Sequence, residues 1–235
     1  MSTVAEFYGD NAALYDRIAT LPPVGRWRAR AVAALDLSPG DTVVEMGCGT
    51  GANLPYLRRA VGPRGRVVGV DLTGPLLSRA RERIAREGWE NVHVVQGDAT
   101  TTPVADPDAL LATFVVGLLE EPGATVGEWC DLVAAGGDGA DTDRPGGRVA
   151  LVDATASDHP VGRLLNPAFR AFVAAGAPSS TPADVARALV PGSDLDAPLS
   201  ERVRASRRAL TARARDRRYE EAGLGFVGVL SGWVG

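Results

Sequence analysis

Between residues 42 and 153 the chain repeatedly switches from a short β-branched apolar run to a helical pattern, and this alternation limits the folds open to it. Thr42-Val43-Val44-Glu45-Met46 reads as a buried strand, followed by a glycine turn and a helix from about Asn53. Arg66–Asp71, Val92–Val95, Ala109–Val116 and Arg148–Asp153 read as four more strands. Between the second and third strands, Pro75–Glu87 places Leu76, Leu77, Ala80 and Ile84 near helical spacing with mixed charges outside. Strands alternating with helices build βαβ units and hence a parallel sheet. Such a sheet is covered on both faces, so its strands are expected to be almost continuously apolar.

Three segments fall outside this core. Residues 5–36 suggest two helices split at Leu21-Pro22-Pro23. Residues 136–147 form a Gly/Asp-rich loop; its Asp138, Asp141 and Asp143 lack the spacing of an EF-hand, so a solvated loop is expected and no metal site. Residues 154–216 are mostly helical and longer than one crossover needs, and Arg218–Glu221 and Phe226–Leu230 form two β-like pieces around Gly223 and Gly225. The expected layout is one domain over 1–235: a helical lid (1–38), a ligand-binding core (39–153), a helical cap (154–216) and a C-terminal β-hairpin (217–235).

Composition removes whole chemistries. All 25 cations are arginine and there is no lysine. Schiff-base catalysis and a Walker A loop both need that amine. The net charge of −4 and the lack of a separate basic module argue against nucleic acid as a partner. Two cysteines, Cys48 and Cys130, make neither a disulfide framework nor a zinc cluster and fit a reducing cytoplasm. Met1–Asp10 lacks a signal-peptide pattern, and the longest apolar run, Ala109–Leu119, is too short to span a bilayer.

The chemistry concentrates at Glu45-Met46-Gly47-Cys48-Gly49-Thr50-Gly51, where the first strand gives way to a helix. Glycines there permit a tight turn and close approach of a ligand to the backbone, and the helix start offers free N–H donors. Gly47-x-Gly49-x-x-Ala52 also satisfies the dinucleotide fingerprint, which keeps a nicotinamide-dependent oxidoreductase in view. Three acids separate the readings. Glu45 can hold a cationic amino end but would repel a pyrophosphate. Asp71, 20 residues after Gly51 at a strand end, can accept both hydroxyls of a ribose. Asp98, in Gly97-Asp98-Ala99 after the third strand, can accept from an exocyclic adenine amine; its alternative reading is a turn cap. A ligand with an ammonium, a ribose and an adenine but no phosphate is S-adenosylmethionine.

With these motifs the chain resembles the class I S-adenosylmethionine-dependent methyltransferases over about residues 40–155. Glu45–Gly51 is similar to their ExGxGxG loop, Val70-Asp71 to their acidic strand end, and Pro145-Gly146-Gly147 to their turn into the fifth strand. The resemblance implies a Rossmann-like α/β fold: a seven-stranded, mostly parallel sheet whose last strand is antiparallel, with helices on both faces. It implies that Gly47, Cys48, Gly49 and Thr50 wrap the methionine part, with Gly51 completing the turn. Asp71 and Leu72 would take the ribose and adenine edge, Gly97, Asp98 and Ala99 would flank the adenine, and Val115 and Val116 would lie under the sulfonium.

The acceptor is less legible, because an activated cofactor leaves the protein mainly to align the acceptor and exclude water. No Asn/Asp-Pro-Pro-Tyr/Phe loop follows Val115-Val116-Gly117-Leu118-Leu119 and no Pro-Cys nucleophile occurs, which argues against base-methylating enzymes. Phe7-Tyr8, Tyr15-Asp16 and Trp27-Arg28 resemble the N-terminal lid of ubiquinone/menaquinone-biosynthesis methyltransferases and related phospholipid N-methyltransferases. Leu164, Leu165, Ala168, Phe169, Phe172 and Val173 share one helical stripe, which either lines an acyl or prenyl pocket or faces the core. Residues 201–218 carry eight arginines and two acids, a local +6 on a −10 remainder, and either meet an anionic membrane surface or form a solvated helix. Tyr8, Tyr15 and His159 are the candidate acceptor-side residues; His93 reads as structural, and no catalytic base is assigned. The expected function is methyl transfer to a small apolar or amphiphilic acceptor, a phospholipid amine or quinone precursor first. A water-soluble metabolite, a nicotinamide oxidoreductase and a non-catalytic cofactor-binding partner are the alternatives.

Overall fold

The computed structural model describes residues 22–101, 104–136, 146–175, 182–190 and 196–235. The first part of the chain forms α1 (Pro22–Ala33), β1 (Thr42–Met46), α2 (Leu54–Val61), β2 (Arg66–Asp71), α3 (Gly74–Glu87), β3 (Val92–Gln96) and β4 (Ala109–Thr113). The second part forms α4 (Pro122–Gly136), β5 (Gly147–Ala154), α5 (Pro160–Ala175), α6 (Pro182–Ala188), α7 (Ala197–Arg213), β6 (Arg215–Ala222) and β7 (Val227–Val234). All seven strands join one sheet in the order β3-β2-β1-β4-β5-β7-β6. β7 runs antiparallel to both β5 and β6, while β1 to β5 are mutually parallel. This is the Rossmann-like sheet that the family resemblance implies.

Strand alternation divides the core into two layers. Val44 and Met46 face one side with Val68, Val70, Leu110, Ala112, Val149 and Leu151, covered by Trp129 and Val133 of α4 and by Val203 and Leu210 of α7. Val43, Val67, Leu111 and Val152 face the other, covered by Ala31 and Val32 of α1, Leu54, Leu57 and Val61 of α2, and Ala80 of α3. Each fully buried leucine or valine here contributes about 1.5–3 kcal/mol. The expectation of continuously apolar strands holds for β1, β2, β4 and β5 and fails for β3, where His93, Val95 and Gln96 are exposed. β3 is an edge strand, and so is β6, whose run of charged residues is almost wholly exposed. Charged side chains at such an edge discourage pairing with another chain.

Two segments depart from the expected layout. Residues 154–216 do not act as one cap: α5 and α6 pack on each other, whereas α7 packs along α4 and covers a sheet face. Leu199, Val203 and Leu210 are the cause, because their apolar side is the seam against the core. β4 stops at Thr113 rather than Val116: Phe114 takes φ +57° and a 3-10 turn follows over Val116–Leu118. Val115 and Val116 therefore leave the sheet plane instead of extending it. The expected first helix and most of the 136–147 loop lie outside the described residues.

The strand order reverses between β1 and β4, since β2 and β3 lie to one side of β1 and β4 to β6 to the other. Ligands of open α/β sheets bind at the carboxyl ends of the strands at such a switch point.

Candidate active site

Glu45 lies at this switch point, one residue before the end of β1, and is 1% exposed. The Asn53 side-chain amide donates to Glu45 Oε1 at 2.6 Å and to Thr113 Oγ1, at the end of β4, at 3.0 Å. Asn53 Oδ1 in turn accepts from Arg28 Nη1 at 2.8 Å. One amide thus ties β1 to β4 across the crevice and both to α1. Glu45 Oε2 has no hydrogen-bond partner among the described residues. Burial pushes the Glu45 carboxyl up to about 8, opposed by the Asn53 hydrogen bond and the Arg28 charge and assisted by Asp71. A buried, half-satisfied carboxyl is costly on its own, and a cationic donor would satisfy it.

The turn that follows needs its glycines. Gly47, Gly49 and Gly51 take φ of +67°, +55° and +75°, the left-handed region that other residues avoid. A methyl group on Gly47 would sit 2.8 Å from Cβ of Val115, so the turn and the segment leaving β4 are in contact. The Gly49 N–H donates to Asp71 Oδ2 and the Thr73 N–H to Oδ1, each at 2.8 Å. Asp71 at the end of β2 therefore clamps the turn, with the Thr73 side chain as a further hydrogen-bond partner. Burial raises the Asp71 carboxyl and these backbone donors lower it again. Cys48 is buried, donates its N–H to Val70 O at 3.0 Å, and its thiol is pushed well above the ordinary range by burial, then by Glu45 and Asp71. Thr50 is buried, and its hydroxyl has no hydrogen-bond partner among the described residues.

Leu72 is 55% exposed beside Asp71, an apolar edge open to a flat ligand. Gly97 follows β3, and Asp98 is exposed. Asp98 Oδ1 accepts from both the Thr100 N–H and the Thr100 hydroxyl at 2.9 Å, the turn-cap geometry, which leaves Oδ2 for another donor. The Ala99 carbonyl accepts from Trp129 Nε1 at 2.8 Å, so the α4 tryptophan pins this loop to the core. Glu45, Asp71 and the glycine turn are brought together by direct contact; Asp98 and Ala99 stand at the next strand end.

On the acceptor side, Tyr8 and Tyr15 lie outside the described residues. His159 is exposed, and its Nδ1 accepts from the Val161 N–H at 3.3 Å at the start of α5. One ring nitrogen is thus engaged at a helix end. The apolar stripe of α5 splits. Phe169 packs against Phe226 with ring centroids 5.1 Å apart, while Val161, Leu164 and Leu165 are 52%, 80% and 47% exposed. The basic segment also divides. Arg207 pairs with Asp153, Arg213 with Asp131 and Arg218 with Asp216, and Arg202 donates to the Gly117 carbonyl. Arg204, Arg208 and Arg215 are exposed. The Leu199, Val203 and Leu210 side of α7 is packed against the core, which leaves its charged face outward. No helix among the described residues is long and apolar enough to cross a membrane, and no cluster of metal-ligating side chains occurs among them.

Arg28, Asn53, Thr113 and Trp129 escaped the sequence reading. Asn53 carried a signal, since asparagine after a glycine turn is a usual helix cap. Here it makes no cap bond and spends its amide on the crevice instead. Arg28 belonged to the Trp27-Arg28 lid resemblance but carried no local sign of a place in the crevice.

Comparison with known proteins agrees with this geometry. Residues 43–137 match the methyltransferase domain family. The chain is 34% identical over 132 residues to arsenite methyltransferase of Halobacterium salinarum, covering 55% of this chain and 31% of that one. It is 32% identical to demethylmenaquinone methyltransferase of Desulfitobacterium hafniense over 57% of this chain and 55% of that one. It is also 32% identical to 2-phytyl-1,4-naphtoquinone methyltransferase of Thermosynechococcus vestitus over 65% of each. The match spans less than two thirds of each of these relatives. Among solved structures, a SAM dependent methyltransferase from Aquifex aeolicus shares the fold with a TM-score of 0.56 at 18% identity, covering 97% of this chain and 98% of that one.

Proposed function

Taking residues 43–137 as a class I S-adenosylmethionine-dependent methyltransferase domain for the premise, we propose that the chain transfers a methyl group from S-adenosylmethionine to a small apolar or amphiphilic acceptor, a quinone precursor ahead of a phospholipid amine. The observation that carries the cofactor is the unpartnered Glu45 Oε2 at the switch point, directly before the glycine turn. An ammonium satisfies that oxygen, whereas the pyrophosphate of a nicotinamide cofactor would be repelled by it. In this reading Gly47, Cys48, Gly49, Thr50 and Gly51 cradle the methionine end, and Asp71 and Leu72 take the ribose and adenine edge. Gly97, Asp98 and Ala99 flank the adenine, and Val115 and Val116 lie under the sulfonium. The cofactor supplies the activated methyl group. The chain's own residues orient the two partners and exclude water.

The acceptor class rests on two supports. Two of the relatives are named for naphthoquinone-type acceptors. The α5 face of Val161, Leu164 and Leu165 leaves apolar surface exposed just beyond the carboxyl end of β5. Tyr8, Tyr15 and His159 remain the acceptor-side candidates. Peripheral contact with an anionic bilayer, in this reading, is electrostatic and runs through Arg204, Arg208 and Arg215.

The test is a radiolabelled methyl-transfer assay with a demethylated naphthoquinol, phosphatidylethanolamine vesicles and an aqueous cell extract offered separately. Calorimetry of S-adenosylhomocysteine and of NADH runs beside it. Label in the quinol, with S-adenosylhomocysteine bound and NADH ignored, supports the proposal. Label only in the aqueous extract replaces the acceptor class, and tight NADH binding overturns the reading.

A further inference from the structure

The Glu45 carboxyl does not stand alone in the crevice. Arg28 of α1, itself 7% exposed, reaches it through one intermediary, Asn53, which is 1% exposed. The Asn53 amide makes three bonds: its oxygen accepts from Arg28 Nη1 at 2.8 Å, and its nitrogen donates to Glu45 Oε1 at 2.6 Å and Thr113 Oγ1 at 3.0 Å. With both N–H donors engaged and the oxygen facing a guanidinium, the amide cannot flip without breaking buried bonds. Glu45 Oε1 is therefore fixed, and Oε2 is the oxygen left to a ligand.

The geometry points to Arg28 as a positioning residue that acts through Asn53 to orient Glu45 and to favour its charged form when an ammonium ligand binds, so that cofactor binding depends on a residue outside the matched domain. This rests on the cofactor reading above. The groups facing Glu45 are the Arg28 guanidinium from α1, the Asn53 amide preceding α2, the Thr113 hydroxyl from β4, the Asp71 carboxyl from β2 and the Cys48 thiol in the turn. Among the described residues only Arg28 is a cation facing Glu45, and it opposes both burial and Asp71. Without it the carboxyl takes up its proton at higher pH and offers an ammonium no charge.

The inference makes Arg28 different from a helix-anchoring arginine. Anchoring alone would lower affinity equally at all pH values. Charge positioning moves the pH at which affinity appears.

The experiment measures S-adenosylhomocysteine affinity by calorimetry from pH 6 to pH 9 for the unaltered chain and for Arg28→Gln, Arg28→Lys and Asn53→Ser. Circular dichroism melts confirm folding. The ligand's own amine sets the alkaline limb equally for all, so the acid limb reports the protein. Arg28→Gln should weaken binding at least tenfold at pH 7 and shift the acid limb to higher pH. Arg28→Lys should keep the limb near its original place. If Arg28→Gln does not fold, Asn53→Ser removes the same link and should shift the limb the same way. A uniform loss with an unmoved limb, or an equal shift in Arg28→Lys, overturns the proposal while the cofactor reading stands. Absence of S-adenosylhomocysteine binding by the unaltered chain overturns both.

Discussion

The Gly49 N–H donates to Asp71 Oδ2 at 2.8 Å, so the carboxylate closing β2 holds the glycine turn that follows β1. Thr73 occupies the other oxygen in the same way. Asp71→Ala should therefore lose the turn clamp together with the proposed ribose contacts, weakening S-adenosylhomocysteine binding by on the order of 1–3 kcal/mol, tenfold or more. Asp71→Asn should rescue little, because its NH₂ must face one of two backbone N–H donors. Calorimetry of the two variants checks this; near-normal affinity in Asp71→Asn would show that the clamp is unimportant.

Glu45 sets stability against binding. Its folded carboxyl lies at about 8 against an ordinary 4.5. A carboxyl raised on folding contributes stability that is full below its unfolded value and lost as pH rises through its folded value. Glu45→Gln removes that loss. The ligand-free variant should be more stable at pH 8.5 by on the order of 2 kcal/mol, raising Tm by about 4–8 °C. The difference should vanish towards pH 4.5, and S-adenosylhomocysteine affinity should fall. Thermal melts across pH decide it; a variant less stable at pH 8.5 would contradict the burial argument.

A second buried carboxyl fastens α7 to the sheet. The Asp153 side chain is 0% exposed and pairs with Arg207 Nε at 3.2 Å. Arg207 also stacks on Tyr219, 5.1 Å from the ring centroid. Gly228, opposite Asp153 on β7, has no side chain because the Arg207 guanidinium crosses there. Burial pushes Asp153 up to about 6 even with Arg207 beside it. Arg207→Met leaves the carboxylate without its partner and should cost about 3 kcal/mol at pH 8. The sign follows from the raised carboxyl: the loss should shrink as pH falls towards 6 and be small well below it, where the folded carboxyl is protonated with or without Arg207. Denaturant melts at pH 4 and pH 8 should differ accordingly; equal losses would mean that packing, not charge, holds the helix.

The acceptor reading yields a prediction at α5. Leu164 and Leu165 are exposed, so Leu164→Ser with Leu165→Ser should leave Tm within about 1 °C. With a demethylated naphthoquinol as acceptor, KM should rise several-fold while S-adenosylhomocysteine affinity stays constant. An unchanged KM would remove this face from the acceptor site.

What the sequence determined by itself was the layering and the acid–glycine pattern. β1, β2, β4 and β5 were legible because buried parallel strands read as apolar runs, β3 by its valines alone, and Glu45, Gly47, Gly49, Gly51 and Asp71 because turn geometry and charge restrict residue choice locally. Contacts between distant segments were not legible. Arg28 meets Asn53 across 25 residues and Asn53 meets Thr113 across 60, and no local pattern encodes such pairings. The same holds for α7: its arginines suggested a charged surface helix, but Leu199, Val203 and Leu210 were claimed by α4, and Arg207 by Asp153. Local propensity and spacing specify which residues can turn, bury or carry charge. Only the folded sheet decides which buried polar group faces which, because an unmet hydrogen bond or charge in the interior costs more than any local preference.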